Sequence, residues 1–400
     1  MSLTRNLKKG VIGLFSIMSF VVPFACKKNK TENYCSNTTI QDKMGIKNIK
    51  MMNNAEIKEA SITENTKFKS AILSVTIEDF NKKFSLGDSC NVKFSNGFTL
   101  YDIPYFDGYY VKNQAPVIVA YPSDTYVLIT LNNYGIWDAA NLNEDVTVTI
   151  TLNEKSKYIA TEEALGQSYS LYIDDYDSNE EFSNFRSLKG GTLKDNLVYR
   201  GASPVDNSRN RAGITDELLK ANSINTVIDL ADDESNINSY FSDSTFSSDY
   251  TKDIYEKGNM VLLSMGSSYE SEIYKTSVVK GLRFMIQKTS PYYIHCMEGK
   301  DRTGFVCFLI EALMGATYNE MKDDYMLTYK NYYKISEELT KSKYDAVVDL
   351  YFNSFAASLY GVEDLETLIN ASYQESAKQY LKEGGMKNSE IEQLISLLSK

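Results

Sequence analysis

Apolar and polar positions change their period several times along the chain, and those changes divide it. Gly10 to Phe24 is a continuous apolar run, short for a transmembrane helix and preceded by Arg5, Lys8 and Lys9. Residues 27–65 turn polar, dominated by Lys, Asn, Glu and Thr, and read as a tether. From 66 to 160 the pattern alternates. Val92-Lys93-Phe94 and Phe98-Thr99-Leu100 flank Ser95-Asn96-Gly97, a hairpin signal, and short runs follow at Val117–Ala120, Tyr126–Leu131 and Val146–Leu152. These predict a small antiparallel sandwich or barrel. Tyr101, Tyr105, Phe106, Tyr109 and Tyr110 suit the packing of such a core. No catalytic constellation stands out there, so a spacer or binding module is expected. Residues 161–184 form an acidic connector. Asp175, Asp177, Asn179 and Glu181 alternate within it but lack the glycine and final acidic ligand of a calcium loop.

Over 185–400 short apolar runs alternate with helical patterns. Leu197–Arg200, Ile224–Leu230 and Asn259–Met265 read as strands, a helix follows over 269–288, and Tyr292–His295 is a further strand. Thr215 is expected to cap a helix whose first turn holds Asp216 and Glu217. Ser389 and Glu392 are expected to form a capping box for the face bearing Ile391, Leu394, Ile395 and Leu398. Tyr325, Tyr329, Tyr332 and Tyr333 fall near helical spacing and are expected to pack. Strand–helix alternation predicts an α/β fold, a mostly parallel central sheet flanked by helices and preceded by a small all-β domain. Sites in such sheets lie beyond the carboxyl ends of strands.

Composition narrows the chemistry. With 400 residues, 43% hydrophobic and 24% charged, the chain can bury two sizeable cores. Its formal charge of −11 becomes −14 if residues 1–25 leave with Arg5, Lys8 and Lys9, so nucleic acid is not an expected partner. His295 is the only histidine, which excludes a triad needing a second one and any multi-histidine metal site. Cys26, Cys35, Cys90, Cys296 and Cys307 show no Cys-x-x-Cys spacing, and no metal or organic cofactor is implied.

The sequence from His295 to Gly304 reads His-Cys-Met-Glu-Gly-Lys-Asp-Arg-Thr-Gly, after the apolar strand and before the apolar run Phe305–Ala316. In a strand–loop–helix context, backbone N–H groups and a helix N-terminus converge on one anion. A cysteine in that concavity is expected to act as a thiolate nucleophile. A bare cysteine and arginine six apart is a weak signal; the whole decapeptide in this context is a strong one.

The decapeptide resembles the signature of cysteine-dependent, protein-tyrosine-phosphatase-like enzymes: His-Cys, five residues, Arg, then Ser or Thr. Its Gly-Lys-Asp-Arg-Thr-Gly ending is similar to bacterial members with tyrosine, dual or phosphoinositide specificity. The resemblance covers roughly residues 185–400 and implies roles. Cys296 forms a phosphocysteine, Arg302 binds phosphoryl oxygens, Thr303 assists the departing thiolate, and His295 tunes the cysteine. Met297, Glu298, Gly299, Lys300, Asp301 and Arg302 cradle the phosphate. The family's usual acid on a separate loop has no counterpart, since no aspartate lies between Asp253 and Asp301. Asp301 is the expected general acid, with Glu298 and Asp253 behind it. Arg200, Arg209 and Arg211 are open between substrate phosphate and salt bridges.

The expected activity is phosphomonoester hydrolysis, with phosphotyrosine as substrate and dual specificity open. Phosphoinositide or inositol phosphate hydrolysis, or a non-catalytic phospho-ligand surface, are the alternatives. Ala25-Cys26 before Lys27-Lys28-Asn29-Lys30 resembles a bacterial lipoprotein signal, although Pro23-Phe24 depart from its usual residues. Residues 1–26 are therefore expected to export the protein and leave Cys26 lipid-anchored at the cell surface, with secretion the alternative. Outside the cytoplasm Cys35 and Cys90 could pair; the sequence leaves this open.

Overall fold

The computed structural model describes residues 55–400; the expected export signal, Cys26 and Cys35 lie outside them. Asn54–Lys400 forms one compact unit. Its first part is a closed barrel of seven strands in the order β1-β2-β6-β5-β4-β3-β7. These are β1 (Glu56–Asn65), β2 (Ser70–Thr76), β3 (Ser89–Phe94), β4 (Thr99–Phe106), β5 (Pro116–Val119), β6 (Tyr126–Leu131) and β7 (Thr147–Glu154). Inward side chains such as Ile62, Leu73, Val92, Phe94, Ile129, Val148 and Ile150 fill the interior. The β3–β4 hairpin turns at Gly97 with φ +96°, a left-handed conformation that suits glycine.

Two expectations need correction here. The polar tether stops before residue 65, because Glu56–Asn65 is β1. A register shift between Ile57 and Ala60 interrupts its alternation, so its buried Ile57, Ala60 and Ile62 do not fall on one period-two face. The barrel is also not purely antiparallel, since β4 and β5 pair in parallel through Tyr105–Ile118 and Phe106–Val119.

The second part is a five-stranded sheet in the order β11-β10-β12-β9-β8. Its strands are β8 (Arg186–Ser187), β9 (Val198–Gly201), β10 (Thr226–Asp229), β11 (Met260–Leu262) and β12 (Tyr292–His295). β11, β10, β12 and β9 pair in parallel, and β8 joins the edge antiparallel. Both faces are covered, as continuous apolar strands require. Tyr292 and Ile294 join the core holding the C-terminal helices, while Tyr293 packs with Tyr199, Val227, Leu219 and Ile254 on the other face. The Asp301–Leu313 helix is buried all round from Thr303 to Leu313, consistent with its unbroken apolar run.

Two helix starts differ from the sequence reading. The Ala212–Ala221 helix begins before Thr215, whose Oγ1 donates to Arg211 O at 2.9 Å inside the helix. Asn207 Oδ1 accepts from the Ala212 N–H instead. The last helix begins at Asn388, and Glu390 rather than Glu392 reaches back to accept from the Lys387 N–H at 2.8 Å.

Candidate active site

β12 ends at His295, so Cys296 lies at the carboxyl edge of the sheet, with the Asp301–Leu313 helix starting five residues later. The intervening loop has its carbonyls tied to the protein. Met297 O accepts from the Ser203 N–H at 3.1 Å and Glu298 O from Tyr332 Oη at 2.9 Å. Gly299 O accepts from Asn184 Nδ2 at 3.2 Å and Arg200 Nη2 at 2.8 Å, and Lys300 O from the Gly304 N–H at 2.8 Å. In a trans peptide the N–H points opposite to the C=O. Turning the Met297, Glu298 and Gly299 carbonyls outward therefore turns the following amides inward. Together with the helix N-terminus they form an anion cradle around Cys296.

The loop's shape depends on Gly299, at φ +66°, where an added Cβ would lie 2.2 Å from Gly201 O. Arg200 supports the same residue from below. It is fully buried and also donates from Nη1 to Asp324 Oδ2 at 2.5 Å. Arg186 Nε donates to the other Asp324 oxygen at 2.7 Å. Burial pushes the Asp324 carboxyl up, but the two guanidiniums outweigh it and hold the group below its ordinary range.

The predicted residues are distributed as follows. Cys296 is 4% exposed, at the base of the cradle. Arg302 is half-buried; its Nη1 donates to Met265 O at 3.1 Å and lies 3.5 Å from Leu230 O, so the segments that follow β11 and β10 aim it. Thr303 is buried, and its Oγ1 has no partner among the described residues. Asp301 is exposed on the first helical turn, and with Arg302 lines a cavity of about 240 Å³. That cavity also receives Tyr269, Tyr274, Phe305, Tyr351 and Phe355. Lys300 is turned back, its ammonium 5.6 Å from the Tyr333 ring centroid and 3.8 Å from Asp301 Oδ2. Burial would lower its pKa, but Asp301, Tyr333 and Glu298 raise it well above the ordinary lysine value.

His295 is fully buried with Nδ1 3.3 Å from Cys296 O. Burial lowers its pKa to about 4, so the ring is neutral, and an N–H at Nδ1 can donate to that carbonyl. Behind it stand two carboxyls that the sequence reading did not single out. Asp229 Oδ2 is 3.9 Å from His295 Nε2, and its Oδ1 accepts from the Ala231 and Asp232 N–H groups. Burial raises Asp229 to about 6; burial and then the Asp229 charge raise Asp232 to about 7.

Other candidates are not brought to the cradle as reagents. Glu298 accepts from Tyr169 Oη at 2.5 Å and lies 3.4 Å from Arg209 Nε, which engages its carboxylate. Asp253 sits on the Asp249–Glu256 helix leading into the amino end of β11 and pairs with Lys257. Arg200 and Arg211 are buried structural groups. Arg211 donates to Phe182 O, Arg209 O and Ser170 O and is enclosed by the rings of Tyr169, Phe182 and Tyr332. Cys90 is buried in the barrel, and burial pushes its thiol up to about 12.

A family model described as the tyrosine phosphatase family matches residues 178–400. The chain belongs to the tyrosine phosphatase family. It is accordingly a phosphoric monoester hydrolase of the tyrosine-phosphatase type, and its substrates are phosphorylated. No curated protein matches the chain significantly. The family match begins within the acidic segment before β8 and leaves the barrel outside it.

Proposed function

We propose that this phosphatase hydrolyses phosphotyrosine through a phosphocysteine intermediate. The Cys296 thiolate attacks phosphorus; the phosphorus–oxygen bond breaks, and Asp301 gives its proton to the departing phenolic oxygen. Water then attacks the phosphocysteine and yields a proton to the Asp301 carboxylate. The sulfur–phosphorus bond breaks, releasing inorganic phosphate and the thiolate. Arg302 and the inward amides bind the phosphoryl oxygens throughout, where charge spreads in the transition state.

The observation that carries this reading is the set of loop carbonyls tied outward around Cys296. The aromatic lining of the adjoining cavity supports a tyrosyl leaving group. An inositol polyphosphate needs several free cations, whereas the Lys300 ammonium is turned toward Glu298 and the Tyr333 ring. The leader pattern over residues 1–26 supports action outside the cytoplasm from a lipid anchor at Cys26.

A panel of phosphotyrosyl, phosphoseryl, phosphoinositide and inositol phosphate substrates tests the reading. Phosphotyrosine is expected to be preferred, vanadate to compete, EDTA to leave the rate alone, and Cys296→Ser to abolish turnover. Chelator-sensitive activity that survives the serine substitution would sink it.

A further inference from the structure

The cavity beside Arg302 is not walled by the family-matched region alone. Val111, Lys112 and Asn113, between β4 and β5, and Asn132 and Asn133, after β6, also line it. These barrel segments are fastened to each other. Asn132 Nδ2 donates to Val111 O at 2.7 Å, the Gln114 N–H to Asn132 O at 2.8 Å, and the Asn132 N–H to Ala115 O at 2.9 Å. They also approach the helical part, where Lys112 Nζ lies 3.8 Å from Asp349 Oδ1.

Asp349 belongs to a π-helical turn, Val348–Phe352, between the helices Lys341–Val347 and Asn353–Tyr360. Leu350 and Tyr351 of the same turn line the cavity. Such turns recur at functional sites because the extra residue redirects side chains. Two further contacts tie the segment that follows the barrel to the helices: Lys343 Nζ–Glu163 Oε2 at 3.1 Å, and Gln167 Nε2 donating to Tyr333 O at 3.4 Å.

We propose that the barrel is part of the substrate site, with Lys112 and Asn113 contacting the peptide on either side of the phosphotyrosine. The proposal rests on the phosphotyrosine reading above. A phosphoryl group at Arg302 places its tyrosyl ring against Tyr351 and the mutually packed rings of Tyr269, Phe305 and Phe355. The peptide main chain then leaves the cavity past its exposed polar members, among which the barrel supplies Lys112, Asn113 and Asn133. Asparagine side chains offer both donor and acceptor to peptide amides. An acidic flanking residue of the peptide competes with Asp349 for Lys112, which with Arg302 makes up the cations among the described residues of the lining.

The test compares a phosphotyrosyl peptide carrying acidic flanks with phenyl phosphate, using the full chain. In Lys112→Ala/Asn113→Ala, KM for the peptide is expected to rise about five- to tenfold, against under about twofold for phenyl phosphate. Asn113→Trp, which fills the cavity mouth, is expected to cut peptide kcat/KM about tenfold relative to phenyl phosphate. Lys93→Ala, on the exposed side of β3, serves as the control and leaves both substrates unaffected. Equal effects on the two substrates in both cavity variants would overturn the proposal. Should the unaltered protein ignore the peptide yet hydrolyse an inositol phosphate, the phosphotyrosine reading fails instead. The same ratio, taken with inositol phosphate against phenyl phosphate, then decides the barrel's part independently.

Discussion

Arg200, on β9, and Arg302, in the first turn of the Asp301–Leu313 helix, are two guanidiniums beside one loop with different tasks. Arg200 is sealed under Gly299 and spends its donors on a backbone carbonyl and a carboxylate, so it shapes the loop. Arg302 borrows two carbonyls from the segments after β10 and β11 and borders the cavity, so it can serve substrate. Asp301 shares that cavity, which is why it rather than Glu298 suits proton donation. Asp301→Asn is expected to lower kcat about a hundredfold or more for alkyl phosphates, which leave poorly without a proton. For p-nitrophenyl phosphate, whose leaving group needs little help, the loss is expected to stay under about tenfold. Equal losses in steady-state assays would move the acid elsewhere. Cys296, Asp301 and Arg302 were legible because one decapeptide holds them. The parts that Asn184, Arg200, Asp229 and Tyr332 play there were not: each reaches the loop or His295 from a distant part of the chain. The one local clue was a charged residue within the apolar strand Val198-Tyr199-Arg200-Gly201, since a buried charge requires partners.

At the level of elements, the loop depends on one backbone conformation. Gly299→Ala has to bear both a left-handed φ and a contact with Gly201 backbone that must give way. It is expected to cost about 1–3 kcal/mol of stability and most of the turnover. Gly385→Ala, at φ +89° with nothing within 4 Å of an added Cβ, tests the conformational part alone and is expected to cost less. Denaturant unfolding of the two variants checks this; similar losses would mean that the Gly201 contact is immaterial. Element recognition followed periodicity closely where strands are regular: Tyr126–Leu131 and Tyr292–His295 lie where the sequence placed them. It failed at β1 and β2, where register shifts interrupt the alternation. Helix starts at Thr215 and Ser389 were misplaced because the first-turn amides found Asn207 and Glu390 instead.

For the whole molecule, the buried carboxyls behind His295 set a dependence on pH. Asp229 and Asp232 keep their protons in the fold to about 6 and 7, above the ordinary 3.8 of the unfolded chain. Their contribution is therefore intact below about 4 and is lost as pH rises through 6 and 7. His295, lowered to about 4 from 6.5, acts in the opposite sense: its contribution is complete above 6.5 and is lost as pH falls toward 4. Above 6.5 only the carboxyl effect operates. Asp232→Asn keeps an acceptor for Tyr240 Oη and removes one titration. Between pH 6 and 8 the variant is expected to lose less stability than the unaltered protein, by an amount on the order of 1–3 kcal/mol in urea titrations. Parallel curves would refute the assignment.

The sequence by itself determined which residues the proposed reaction uses and their setting, because Cys296, Asp301, Arg302 and the helix start are neighbours along the chain. It also showed where alternation with period two gives way to strands separated by helices. Only the tertiary structure decided which carbonyls are pulled away from Cys296, which carboxyls hold a proton, and which barrel residues border the cavity. Those properties follow from burial and from contacts between residues far apart in the chain, and local pattern carries no record of either.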